Sequence, residues 1–184
     1  MLRALFSWRI SRMERTWRYD ASYMRELLAA SPWTFLKFAV LTSLTPRKDA
    51  PGEALAAAGL VGALNEDCGP CTQISVDMAQ RGGVPAPVLR AILAGDEAAM
   101  GESAALGYRF ARASLDRRLQ EADLMRDEIV RRWGKKGLVA LSMALTTARM
   151  YPTLKYALGY GKACSRVDVA GEPTPLHRPQ PIAA

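Results

Sequence analysis

From Ala54 to Leu64 the chain runs eleven residues without one polar side chain. A helix that is apolar nearly all round has no face to give to water, so it belongs inside a bundle. Pro51 suits its first helical position and Asn65 its end. Gly59 and Gly62 lower its helix propensity, which predicts close packing against a neighbouring helix. Directly after it comes Glu66-Asp67-Cys68-Gly69-Pro70-Cys71-Thr72-Gln73-Ile74-Ser75. Pro70 fits a first helical turn, and Asp67 is the expected cap just upstream. Both sulfurs are therefore expected at a helix N-terminus. Residues three apart there are neighbours, so Cys68 and Cys71 can form a disulfide with little backbone movement. The free N–H groups of that first turn also favour a thiolate over a thiol.

The other segments also read as helix, which makes the expected fold class all-α. Gly82-Gly83 stops the helix carrying the cysteines, and Gly95 ends a short one from Val84-Pro85. Ala98–Leu115 and Glu121–Trp133 follow, the second closed by Gly134, and a last long helix runs from Lys135 to about Tyr160 with Pro152 inside it. A kink is expected at that proline. Ahead of the core, residues 1–18 form a basic amphipathic helix in which Leu2, Phe6, Ile10, Met13 and Trp17 share a face. Such a stripe either docks on the domain or a neighbouring subunit, or lies on an anionic membrane surface. After Ala170 four prolines fall among fourteen residues, which predicts a mobile tail. The expected organisation is an N-terminal helical arm over 1–50, a helical core over 51–165 and a tail over 166–184.

With 184 residues, 49% of them hydrophobic, the chain can bury one good core. Residues 1–50 hold nine Lys/Arg against four Asp/Glu, a surplus of five within the net charge of +7. The remainder is near neutral and carries no reading motif, so nucleic acid is not an expected partner. Three cysteines are too few for a disulfide-built secreted scaffold, and no apolar run is long enough to span a bilayer. These features suit a cytoplasmic protein, in peripheral contact with a membrane if residues 1–18 bind one. Cys68, Cys71, Cys164 and His177 would make a legal zinc set, but no second clustered ligand pair stands behind it, so neither metal nor cofactor is expected.

The order of elements carries a resemblance over roughly residues 50–162. A buried Ala-rich helix leads into Cys-X-X-Cys at the next helix start. Leu-Ala-Gly-Asp at 93–96, Leu-Gly-Tyr-Arg-Phe-Ala-Arg-Ala at 106–113 and Tyr-Pro-Thr-Leu-Lys-Tyr-Ala-Leu-Gly at 151–159 follow. This resembles the alkylhydroperoxidase D-like, carboxymuconolactone decarboxylase family of all-helical homo-oligomers. In its redox members a glutamate stands twelve positions before the first cysteine and a histidine four after the second. The cysteines match as Cys68 and Cys71, whereas Ala56 and Ser75 occupy the other two positions. Ser75 can offer only a hydrogen bond there, and Glu53, one turn before Ala56, is the one nearby candidate for the absent carboxylate. The Cys-Gly-Pro-Cys spelling is similar to that of thioredoxin, but the helix before it sets the fold apart.

A free thiol with a pKa near ~8.5 is only slightly ionised at neutral pH. A helix N-terminus lowers that by roughly a quarter to one and a half units, and the nearby Glu66 and Asp67 push the other way. The leading expectation is a thiol–disulfide oxidoreductase or weak alkyl hydroperoxidase using Cys68 and Cys71, fed by a thiol or dithiol electron donor. The resemblance points to Cys71 as the attacking sulfur, and greater exposure would favour Cys68. The competing expectations are a non-enzymatic oligomeric helical scaffold with a basic arm, and a decarboxylase-type enzyme of the same family.

Overall fold

The computed structural model describes residues 2–43, 46, 48–162 and 167–177. Eight helices dominate them. An N-terminal group comprises α1 (Leu2–Trp17), α2 (Ser22–Ala30) and α3 (Pro32–Ser43). The core follows as α4 (Gly52–Asn65), α5 (Gly69–Arg81), α6 (Ala86–Ala94), a short 3-10 turn over Glu97–Ala99, α7 (Glu102–Leu115) and α8 (Leu119–Ala157). The protein is an all-α bundle with one small antiparallel hairpin, β1 (Val167–Val169) and β2 (Glu172–Thr174). No helix among the described residues is long and apolar enough to cross a membrane.

The apolar helix α4 is the axis of the bundle. It packs chiefly against α7 and α8 and also touches α5 and α6. Ala54, Ala57, Ala58, Leu60, Val61 and Leu64 join Leu89, Ile92, Leu106, Phe110, Ile129 and Leu141 in the main core. Small residues let the backbones approach. A Cβ on Gly62 would stand 2.8 Å from the Leu145 carbonyl oxygen of α8. Gly59, also expected to mark a close crossing, is less constrained, with its nearest neighbour 3.9 Å from such a Cβ.

Gly134 takes φ 70° and ψ 179° inside α8, so the long helix is two segments meeting at the glycine that was expected to separate them. The second segment continues through Pro152 to Ala157, and Gly134 is the one residue inside α8 as a whole with non-helical backbone angles.

The N-terminal group builds a second apolar cluster of its own. Ile10, Tyr19, Ala21, Tyr23, Met24, Leu28 and Phe35 are buried in it, with Phe6, Met13 and Trp17 packed alongside. The stripe on α1 therefore docks within the chain. Ile74 of α5 and Tyr151, Leu154 and Leu158 close the cluster from the core side. Within the arm Arg25 of α2 pairs with Glu14 of α1 at 2.5 Å, and from the core the Arg81 guanidinium of α5 lies 3.9 Å over the Trp17 ring. The arm is thus packed on the core, and the boundary expected near residue 50 is crossed by apolar contacts.

The mobile tail expected from residue 166 gives way, over 167–177, to a docked hairpin. Ala170 and Gly171 both take positive φ, 54° and 82°, the geometry of a tight two-residue hairpin turn. Val167 and Val169 enter the main core. The Gln73 side chain of α5 accepts from the Asp168 N–H at 2.8 Å and donates to the Asp168 carbonyl at 2.9 Å. One amide thereby imitates a strand edge, which offsets the low apolar content of this segment. Gln73→Leu removes both bonds and should cost about 1–3 kcal/mol. Faster amide hydrogen exchange over 167–174 with little change elsewhere is the expected reading, and unchanged exchange there would count against the tie.

A buried dithiol as the candidate functional site

Cys68 and Cys71 lie at the seam between the two apolar clusters. Helix α4 is capped by Glu66, Asp67 turns the chain in the left-handed region with φ 47°, and Cys68 is the N-cap of α5. Asp67 was the expected cap. The cap falls one residue later because the left-handed turn at Asp67 leaves Cys68 extended, with φ −103° and ψ 99°. Gly69 and Pro70 then open the helix, and the Thr72 N–H and hydroxyl bond back to the Cys68 carbonyl at 2.9 and 3.0 Å. The result is a rigid first turn with a sulfur at the cap and another three residues on.

Both cysteines are free thiols and both are buried, Cys68 with none of its surface exposed and Cys71 with 3%. The expected greater exposure of Cys68 is not found. What covers them comes from the arm and from the end of α8. Arg18, at φ 48°, ends α1, and the Tyr19 N–H returns to the Glu14 carbonyl at 3.2 Å. The Asp20 carboxylate accepts from the Ser22 N–H at 3.0 Å and its hydroxyl at 2.6 Å, starting α2. Held between these two bonded turns, Tyr19 points inward. Its hydroxyl lies 3.7 Å from the Cys71 Sγ and donates to the Tyr23 hydroxyl at 3.3 Å. Across the two rings sits the Lys155 Nζ, 4.8 Å from the Tyr19 centroid and 5.4 Å from that of Tyr23. The cover over Cys71 is thus partly polar: the Tyr19 phenol reaches the sulfur, and behind it stand the Tyr23 phenol and the Lys155 ammonium.

This surrounding separates the two sulfurs electrostatically. The Cys68 thiol is lowered to about 7, first by the hydrogen bond from the Cys71 thiol and further by the Cys71 backbone N–H and the Lys155 charge. Burial and Asp67 act against that lowering. The Cys71 thiol is pushed up, by its hydrogen bond to Cys68 and then by burial and the Cys68 charge. The two shifts are opposite in direction, so Cys68 is the sulfur that ionises first and Cys71 the one that keeps its proton. Burial also pushes both phenols up, so Tyr19 and Tyr23 stay neutral. Glu66, expected to oppose ionisation, is instead tied to α8 through Arg149 at 2.6 Å.

Two further residues named from the sequence do not join the sulfurs. The Ser75 hydroxyl donates to the Cys71 carbonyl at 2.8 Å, a bond along the helix to the residue four back, and is thereby committed to the backbone rather than to a sulfur. Glu53 sits in the first turn of α4, at the end opposite the cysteines. At 1.5 Å per residue it is about 18 Å of helix from Asn65, too far to act as a base on either thiol. Cys164 lies outside the described residues. His177 docks at the end of α6, its N–H bonded to the Leu93 carbonyl at 2.7 Å and its ring against Gly95. Among the described residues no three metal-binding side chains cluster.

Tyr19, Tyr23 and Lys155 were not picked out as site residues from the sequence. Lys155 did leave a signal, because it interrupts the apolar side of the last helix between Tyr151 and Leu158. An open groove of about 710 Å³ between α3, α7 and α8, lined in part by Phe38, Leu115, Met150 and Leu154, reaches neither sulfur. No family model, no curated protein and no solved structure matches the chain.

Proposed function

We propose that this protein is a dithiol–disulfide oxidoreductase in which Cys68 attacks and Cys71 resolves. The observation that carries the reading is geometric: two free thiols, one at the N-cap of α5 and the other three residues on, close enough to bond to each other. The opposite shifts of the two thiols, Cys68 down and Cys71 up, assign the roles. In the forward direction the Cys68 thiolate attacks one sulfur of a substrate disulfide and expels the other as a thiolate. Cys71 then loses its proton, attacks Cys68 and releases the second substrate thiolate. One internal S–S bond forms, one substrate S–S bond breaks, and the Cys71 proton passes to a departing thiolate. A thiol or dithiol donor restores the pair by the reverse exchange. An alkyl hydroperoxide is consumed on the same balance. The Cys68 sulfur takes its terminal oxygen, the alcohol leaves, and Cys71 condenses on the sulfenic acid to release water.

Because both sulfurs are covered, turnover needs the Tyr19 turn to swing aside, and the encounter rate is set by that opening. In graded thiol–disulfide buffers the reduced and oxidised pair should interconvert reversibly. Cys71→Ser should accumulate a mixed disulfide on Cys68, and Cys68→Ser should not. If no Cys68–Cys71 disulfide forms under any poise, the oxidoreductase reading falls. The complete burial of Cys68 would then favour the second reading, a helical scaffold in which the two thiols are packing groups.

A further inference from the structure

We propose that the outer side of the N-terminal arm, the exposed faces of α1 and α3, is a docking surface for an anionic lipid bilayer. Such a surface is independent of the thiol chemistry. The amphipathic stripe of α1 is spent on the arm's own cluster, yet the opposite side of that helix is not an ordinary polar face. Leu5 and Trp8 stand exposed there, Trp8 by 54%, and Arg9, Arg12 and Arg15 share that side. The Arg12 guanidinium lies 5.8 Å over the Trp8 ring. Glu14, the only acid of α1, is turned to α2, where it pairs with Arg25. No carboxylate of the helix therefore interrupts the positive charge of its outer face.

Helix α3 repeats the pattern with more hydrocarbon. Lys37 is the one charged side chain in its twelve residues. Phe35 and Thr42 are buried, and away from them Trp33, Val40 and Leu41 stand exposed around Lys37, Trp33 by 68%. A helix apolar on nearly every side is normally enclosed, as α4 is. The two helices meet at Phe6 and Phe35, whose ring centroids are 5.1 Å apart, so both outer faces belong to one packed unit. Among the described residues, five of the ten large apolar side chains that stand exposed lie on these two helices. Charge selects what covers them. A second copy seated two-fold on this side would set arginine against arginine. Anionic headgroups attract those arginines instead, and indole rings and branched side chains suit the boundary between headgroup and acyl chain.

The test sediments the full chain with vesicles of phosphatidylcholine alone and of phosphatidylcholine and phosphatidylserine in equal parts. The protein should bind the anionic vesicles and not the neutral ones, less tightly as salt rises, with tryptophan emission moving to the blue. Arg9→Gln, Arg12→Gln and Arg15→Gln together should weaken binding by roughly tenfold or more. The same loss of three charges on α8, at Arg131, Lys135 and Lys136, should leave it near the parent. Trp33→Ser with Leu41→Ser, both at exposed positions, should weaken it by roughly tenfold without touching a charge. Equal binding to neutral and anionic vesicles, equal losses in the two charge variants, or undiminished binding without Trp33 and Leu41 each overturn the proposal. So does a chain that ignores vesicles and sediments as a dimer, a result that gives this side to a second copy.

Discussion

Tyr19→Ala should speed alkylation of the native thiols by about 100-fold. Tyr19 stands between the arm and Cys71, and its ring is one of the two that shelter Lys155. Truncating a buried aromatic side chain costs on the order of 3 kcal/mol or more, through lost burial and the cavity left behind. The arm holds its own cluster, so most of that cost is expected to fall on the local contact between the Tyr19 turn and α5. When reagent reacts slowly compared with reclosing, the rate follows the open population, and every ~1.4 kcal/mol is a factor of ten. Tyr19→Phe separates cover from hydroxyl. It keeps the ring, so alkylation should stay within a few fold of the parent, while the 3.7 Å contact with the Cys71 sulfur is lost. Equal rates in parent and Tyr19→Ala would mean that reagent reaches the sulfurs by a route the arm does not guard.

The same residues show where sequence reading ends. The helices were legible because each carries its own punctuation: Pro51 before α4, Gly82-Gly83 after α5, Gly95 after α6, and Gly134 at the break in α8. These signals act over one turn of chain. The sulfur pair was legible for the same reason, its spacing being local. Its surroundings were not. Tyr19 is fifty-two residues from Cys71, and nothing near position 19 marks it as more than one apolar residue among several. Glu53 was attractive because its spacing along α4 is right, yet spacing along a helix says nothing about which end meets the neighbouring turn. The hairpin at 167–174 escaped because prolines and short apolar runs resemble a tail. What fixes it in place is a single amide on another element, Gln73.

Gly107→Val should destabilise the fold by at least ~3 kcal/mol, lowering the melting temperature by about 6–12 °C for a chain of this size. Gly107 lies on α7 where it crosses the first turn of α4, and a Cβ there would overlap the backbone carbonyl of Ala54. Over-packing is tolerable when the obstructing atom ends a flexible side chain that can rotate away. Here the obstacle is the main chain of the helix at the centre of the bundle, so one helix must shift against the other. That shift would disturb the buried contacts of Ala54, Ala104 and Ala111 together. Gly59→Ala on the same central helix is the matched control. Its added methyl would meet nothing closer than 3.9 Å. The gain in helix propensity should then show as a small stabilisation, up to about 1 kcal/mol. Thermal or denaturant unfolding of the two variants with the parent decides the matter. If Gly107→Val melts with the parent, the α4–α7 crossing is looser than this geometry, and the cysteine turn at the far end of α4 has a less rigid base than its bonding implies.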